Sequence, residues 1–157
     1  MSKIKIGGIV KDLHLTLISL ASAGERSLSI TELLEMLGQA DINVSMLVQV
    51  PGEDGSQLTR LTVWQRDLAR TLGILGELEQ RQALAIRQVQ TGVASLGIYG
   101  PDFRIRSGLG GAILRTLHSA QISIQAISTS TSTFTVVIPS EQAEAALLAI
   151  QQNFEAP

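Results

Sequence analysis

The chain repeats itself. Its third helical segment matches its first at an offset of eighty residues: Leu33 with Ile113, Leu34 with Leu114, Leu37 with Leu117 and Ala40 with Ala120. The match continues into the segment that follows, Ile42 with Ile122 and Val44 with Ile124. Self-similarity at a fixed offset is the mark of two copies of one supersecondary unit, so whatever one copy folds into the other must fold into as well.

Apolar spacing supplies the elements of that unit. Ile30, Leu33, Leu34 and Leu37 follow the i, i+3, i+4, i+7 rule of a helix face, and Ser29 with Glu32 reads as a capping box at its start. Leu68, Leu72 and Leu75 mark a second helix. Leu109, Ile113, Leu114 and Leu117 mark a third. Ala143, Ala146, Leu147 and Ile150 mark a fourth, capped by Ser140 just after Pro139. Between them lie strand-like alternations: Leu13, Leu15 and Leu17 around His14 and Thr16, then Ile42, Val44, Met46, Val48 and Val50 around Asn43, Ser45 and Gln49. Pro51-Gly52-Glu53-Asp54-Gly55 reads as a hairpin loop.

The first copy therefore reads β (12–19), α (28–40), β (42–50), β (58–64), α (65–79), β (83–90), the βαββαβ order of a ferredoxin-like unit. The second reads β (93–99), α (107–120), β (122–129), β (133–138), α (140–153) and lacks a sixth strand. Ile4, Ile6 and Ile9 form an apolar segment with no role in the first copy. An unpaired sheet edge is a liability, so the N-terminal strand is expected to complete the second sheet. The expected fold class is α+β: two βαββαβ units, antiparallel sheets with helices on one face, the first unit (11–91) inserted into the second (1–10 plus 92–157).

Composition narrows the function. The 157 residues are 45% apolar but only 17% charged, which predicts surface buried against another chain. The net charge of −2, the lack of a Lys/Arg cluster and 3% aromatic residues leave little for nucleic acid to bind or stack on. There is no cysteine, which excludes disulfides, thiolate metal sites and a cysteine nucleophile. No apolar run approaches the ~18 residues of a membrane span, and the N-terminus has no signal-peptide core; a cytoplasmic location is expected. HExxH, GxSxG and GxxxxGK[ST] are all missing, and His14 and His118 lie far apart in sequence. No catalytic residue and no metal site is expected.

Two features could bind a ligand. Gly108-x-Gly110-Gly111 opens a helix. Its backbone N–H groups could receive a carboxylate; equally, Gly108 could make the turn while Gly110 and Gly111 allow close packing. Asn43, Ser45 and Gln49 are expected on one strand face, and Ser123, Gln125 and Thr129 on its equivalent in the second copy, where they are either a small-molecule contact or a solvated surface.

The stretch Val93-Ala94-Ser95-Leu96-Gly97-Ile98-Tyr99-Gly100, with Arg104, Ser107-Gly108, Ile122–Ser130 and Phe134-Thr135-Val136-Val137, resembles the second ACT domain of aspartokinases. The segment Ala40–Gln49 with the Glu53-Asp54-Gly55 hairpin resembles the first. The resemblance to this tandem regulatory region, and to the small beta regulatory subunit, covers almost the whole chain. It implies a non-catalytic regulatory chain without the kinase domain, feedback control by lysine or threonine as effector, a homodimer formed through the ACT sheets, and an aspartokinase catalytic chain as partner. Carried over residue by residue, the ligand-binding set is Glu25, Arg26, Ser27, Asn43, Ser45, Gln49, Arg104, Ser107, Gly108, Ser123, Ile124, Gln125 and Thr129. Leu28 stands where the family has a turn glycine, Ser45 where it has an acid, and Thr131 where a glutamate is usual. Three functions compete: an amino-acid-sensing module, a structural or dimerisation subunit with degenerate sites, and a ferredoxin-like RNA binder.

Overall fold

The computed structural model describes residues 3–25 and 27–157. The chain divides into two compact units. One is Leu15–Thr91, the inserted unit; the other joins Met1–His14 to Gly92–Pro157, the split unit. Residues 11–14, expected in the first copy, group with the split unit.

Among the described residues eight strands and four α-helices follow one another: β1 Ile4–Lys5, β2 Gly8–Ser22, α1 Ile30–Gln39, β3 Val44–Pro51, β4 Gln57–Trp64, α2 Leu68–Gln80, β5 Ala85–Tyr99, α3 Leu109–Ser119, β6 Ala126–Thr129, β7 Thr133–Pro139, α4 Ala143–Asn153 and β8 Phe154–Glu155. The expected strands 83–90 and 93–99 are one strand, β5, with Gly92 at φ +66 inside it. The first expected strand, 12–19, likewise extends to Gly8–Ser22.

In the inserted unit the strand order is β3-β4-β2-β5. β4 pairs antiparallel with both β2 (Ile18↔Leu61) and β3 (Gln49↔Thr59). Ile18 and Leu20 of β2, Leu61 and Val63 of β4, Leu33 and Leu37 of α1, and Leu75 and Leu78 of α2 bury into one core. Both helices thus cover one sheet face, as the 3.6 and 2.0 periodicities demand.

The split unit repeats the plan with order β2-β5-β7-β6. Ala94, Leu96 and Ile98 of β5 and Phe134, Val136 and Ile138 of β7 meet Ile113 and Leu117 of α3 and Ala146 and Ile150 of α4. The beginning of β2 stands beside β5, and Ile9 and Leu13 pack on this core. Ile4 does something else: β1 pairs in parallel with β8, Ile4 opposite the buried Phe154. Ile6 then donates its N–H to Glu155 O at 2.8 Å and Gly7 donates to Tyr99 O at 2.6 Å.

The repeat is visible down to its caps. α1 and α3 both end in a left-handed residue, Asp41 (φ 57) and Gln121 (φ 58), eighty apart. The next N–H reaches back to the same carbonyl in each, Ile42 to Leu37 O at 2.9 Å and Ile122 to Leu117 O at 3.0 Å, and the two apolar side chains meet in the core. This is a Schellman closure.

Candidate functional site

In the inserted unit Gln49 is the one expected ligand residue that lines the cleft at the start of α1. Ser29 caps the helix: its Oγ accepts the Glu32 N–H at 3.2 Å, and the Glu32 carboxylate accepts the Ser29 N–H at 2.9 Å. The capping box thus satisfies two of the free donors at this terminus from within the chain. Those hydrogen bonds, the Ser29 backbone N–H first and then its hydroxyl, hold the Glu32 carboxyl below its ordinary pKa. Just upstream, Ser27 donates its N–H to Gly24 O at 3.2 Å and Leu28 donates to Ala83 O at 3.0 Å. Glu25 is exposed. Arg26 lies outside the described residues.

The strand side of this cleft holds Gln49 alone of the three expected polar residues. Val44 stands opposite Val63 but Met46 opposite Thr62, so Ser45 is an extra residue in β3. Such a bulge shifts every later side chain to the other face. Leu47 and Gln49 consequently face the helices, while Ser45 turns away and shares a hydrogen bond with Thr62 (Oγ to Oγ1, 2.7 Å). Asn43 precedes the strand and is exposed. The expected common face for Asn43, Ser45 and Gln49 is therefore wrong. Gln49 donates from Nε2 to Thr59 Oγ1 at 3.1 Å, with Thr59 only 5% exposed. With Leu28, Ile30 and Leu33 beside this pair, the cleft retains a cavity of about 10 Å³, room for one water at most.

The split unit fills the equivalent cleft from the opposite side. Gly108, in the place of Leu28, sits at φ +87 and caps α3 without a side-chain bond. Gly110 takes the place of Ile30: a Cβ built there would lie 2.8 Å from Cε2 of Phe134. Phe134 stands opposite Thr129 as Thr59 stands opposite Gln49. Large helix-side residues meet a small strand residue in one unit, and small helix-side residues meet a phenylalanine in the other. Of the two readings of the glycine-rich turn, close packing is the one realised at Gly110.

The other expected residues of the split unit are scattered. Ser123 donates its N–H to Gln142 Oε1 at 2.7 Å, and its Oγ accepts from Gln125 Nε2 at 3.0 Å. Gln125 N–H reaches Val137 O while Ala126 also stands opposite Val137, so the bulge recurs eighty residues after Ser45. Ser123 and Gln125 thus lie ahead of β6, whereas Thr129 lies at its far end, and the expected common face for these three fails too. Ile124 packs on the core. Ser107 is exposed, and Arg104 lines an open groove with Gly7, Val10, Tyr99, Pro101 and Thr133. Phe134, Thr59 and Tyr99 were missed by sequence reasoning; the cross-strand register would have pointed to the first two. Among the described residues no group of three or more His, Asp or Glu side chains could hold a metal ion.

Comparison with known proteins places this geometry. Residues 96–154 match the family model of the ACT domain. Over this segment the chain is similar to ACT domains. Aspartate kinase Ask_LysC of Stutzerimonas stutzeri is 30% identical over 128 residues, a match covering 79% of this chain and 30% of that protein. The chain spans about a third of the length of the curated relatives it matches. Among solved structures, the ligand-free regulatory subunit of aspartate kinase from Thermus thermophilus superposes with a TM-score of 0.82 at 24% identity, covering 96% of this chain and 99% of that one. A crystal structure of aspartokinase alpha and beta subunits matches at TM-score 0.80 and 26% identity, covering 94% and 97%. The chain is thus similar over nearly its whole length to solved aspartokinase subunits.

Proposed function

We propose that this chain is a non-catalytic regulatory module of the aspartokinase type, a tandem ACT pair that senses an amino acid and adjusts a catalytic partner. The observation that carries the reading is the architecture: a segment similar to ACT domains at 96–154 whose unit is interrupted by a second unit of the same element order and core plan. The two proposed ACT-like domains are 11–91 and 1–10 plus 92–157; the contact division supports a boundary after Thr91 and moves the first from after Val10 to after His14. Lysine and threonine are the effectors that the resemblance suggests. An aspartokinase catalytic chain and a second copy of this chain are the proposed partners, with no role for nucleic acid. No helix among the described residues is long and apolar enough to cross a membrane, and a cytoplasmic location is proposed with the rest.

The test is thermal unfolding of the purified chain against each of the twenty amino acids at millimolar concentration. A ligand at a hundred times its Kd adds about 2.7 kcal/mol, or roughly 5–10 °C in Tm at this chain length. A shift with one or two amino acids supports sensing and names the effector. A flat response to all twenty refutes it and leaves the structural subunit.

A further inference from the structure

The helix–sheet clefts of both units are filled by the protein's own side chains, yet the split unit has an open groove of about 560 Å³ on its other side, lined by Gly7, Val10, Tyr99, Arg104, Ser132 and Thr133. That is the size of a small-molecule site. Its floor is built from specific contacts. The Tyr99 ring lies flat against the Gly7–Gly8 backbone: a Cβ on Gly7 would stand 3.0 Å from ring Cε2, and one on Gly8 2.6 Å from the phenol oxygen. The ring is held there by its own backbone, since Tyr99 O accepts the Gly7 N–H at 2.6 Å and the next residue, Gly100, donates to Ser132 O at 3.1 Å. Tyr99 keeps 42% of its surface exposed, and Val10 beside it 58%.

The polar groups of the groove are unspent. Among the described residues Arg104 has no ion pair or hydrogen bond, and neither the Tyr99 hydroxyl nor the Ser132 and Thr133 hydroxyls have a partner. Arg104 is the single charged residue in the lining. One guanidinium, three hydroxyls and an aromatic–aliphatic floor suit a carboxylate with an apolar body. No acid is present to face a second cation.

We infer that this groove binds small carboxylates of neutral side chain, with Arg104 holding the carboxylate and Tyr99 and Val10 the apolar body. Resting on the sensing reading, the inference places the effector amino acid here rather than at the starts of α1 and α3, and disfavours lysine, whose ammonium would find no counter-charge.

The test is amide chemical-shift mapping on the full chain during titration with each of the twenty amino acids, and separately with phenylacetate as a bare aryl carboxylate. The expected result is saturable shifts at Gly7, Gly8, 99–104 and 132–133, with residues 28–33 and 109–113 silent, and binding weakened about tenfold or more in Arg104→Gln. Arg104 is exposed, so that variant leaves the core untouched. Gly8→Ala, which pushes the ring aside, weakens binding as well. If amino acids bind but the shifts map elsewhere, or Arg104→Gln binds as tightly as the parent, the groove is not the site although sensing stands. If phenylacetate shifts the groove and no amino acid does, the groove stands and sensing fails. No shift there with any probe overturns the inference.

Discussion

Gly110→Ala tests the packing that closes the split unit's cleft. In a helix interior alanine is favoured over glycine by about 1 kcal/mol, so a glycine replaced without contact should gain stability. Gly111, one residue on, is such a control: its Cβ would come no nearer than 3.6 Å, to the flexible end of Arg115. At Gly110 the new Cβ would stand 2.8 Å from Cε2 and 3.2 Å from Cδ2 of Phe134. That ring is 7% exposed and wedged among core side chains, so it cannot swing away freely. Overpacking of this kind costs about 1–3 kcal/mol. Gly111→Ala should therefore raise Tm, and Gly110→Ala should lower it or at best leave it unchanged, the two differing by about 1–3 kcal/mol or roughly 2–12 °C at this length. Differential scanning calorimetry of both variants measures the difference. Adding Phe134→Leu to Gly110→Ala should show a coupling of at least about 0.5 kcal/mol, because the two changes occupy one volume. Equal Tm increases in the two alanine variants would refute the packing assigned to Gly110.

Two further outcomes follow from the caps. Gln82 and Gln121 hold φ at 58, a left-handed backbone that costs a side-chain-bearing residue about 1–2 kcal/mol; Gln121→Gly should recover up to about 1 kcal/mol of this, the gain offset by glycine's larger unfolded-state entropy, and urea titration reads it. The carboxyls of Glu32 and Asp54 both lie below their ordinary pKa, the first through the Ser29 backbone N–H and then its hydroxyl, the second through the Ser56 hydroxyl and then its backbone N–H. A depressed folded-state pKa adds stability above the unfolded value and loses it as pH falls through the folded one. Stability should therefore fall below about pH 4, and less steeply in Glu32→Gln; an identical pH profile would contradict the capping box.

Much of the fold was legible because the repeat and the two periodicities are local. Leu33/Ile113 and Leu37/Leu117 identify the same buried helix face twice, and Ile4 and Ile6 were stranded in any reading that ended the first unit where its pattern ends. The sites were less legible because they depend on register. Strict alternation put Asn43, Ser45 and Gln49 together; one extra residue in β3 sends Gln49 to the helices and Ser45 away from them. Nothing in Gly108-x-Gly110-Gly111 says that a phenylalanine two dozen residues later lies on it. Tyr99 reads as one more strand residue until its ring is seen on the Gly7–Gly8 backbone.

The bulge itself can be put to the proof. Ser45 and Gln125 occupy one position of the repeat, so the extra residue belongs to the unit and not to either copy. Deleting Ser45 lets β3 run straight from Val44 opposite Val63 to Met46 opposite Thr62, so Leu47 stays opposite Leu61, Gln49 stays opposite Thr59, and both keep facing the helices. What the deletion loses is the Ser45–Thr62 hydrogen bond, about 1 kcal/mol. Replacing Ser45 by alanine keeps the extra residue and removes the same bond, so each variant should lose about 1 kcal/mol. Only a slip of the pairing by one residue would turn Leu47 and Gln49 outward. Hydrogen exchange separates the cases: with the register held, protection along β3 and β4 should survive in both variants. If the deletion loses that protection while Ser45→Ala keeps it, Ser45 is not an extra residue between two paired stretches.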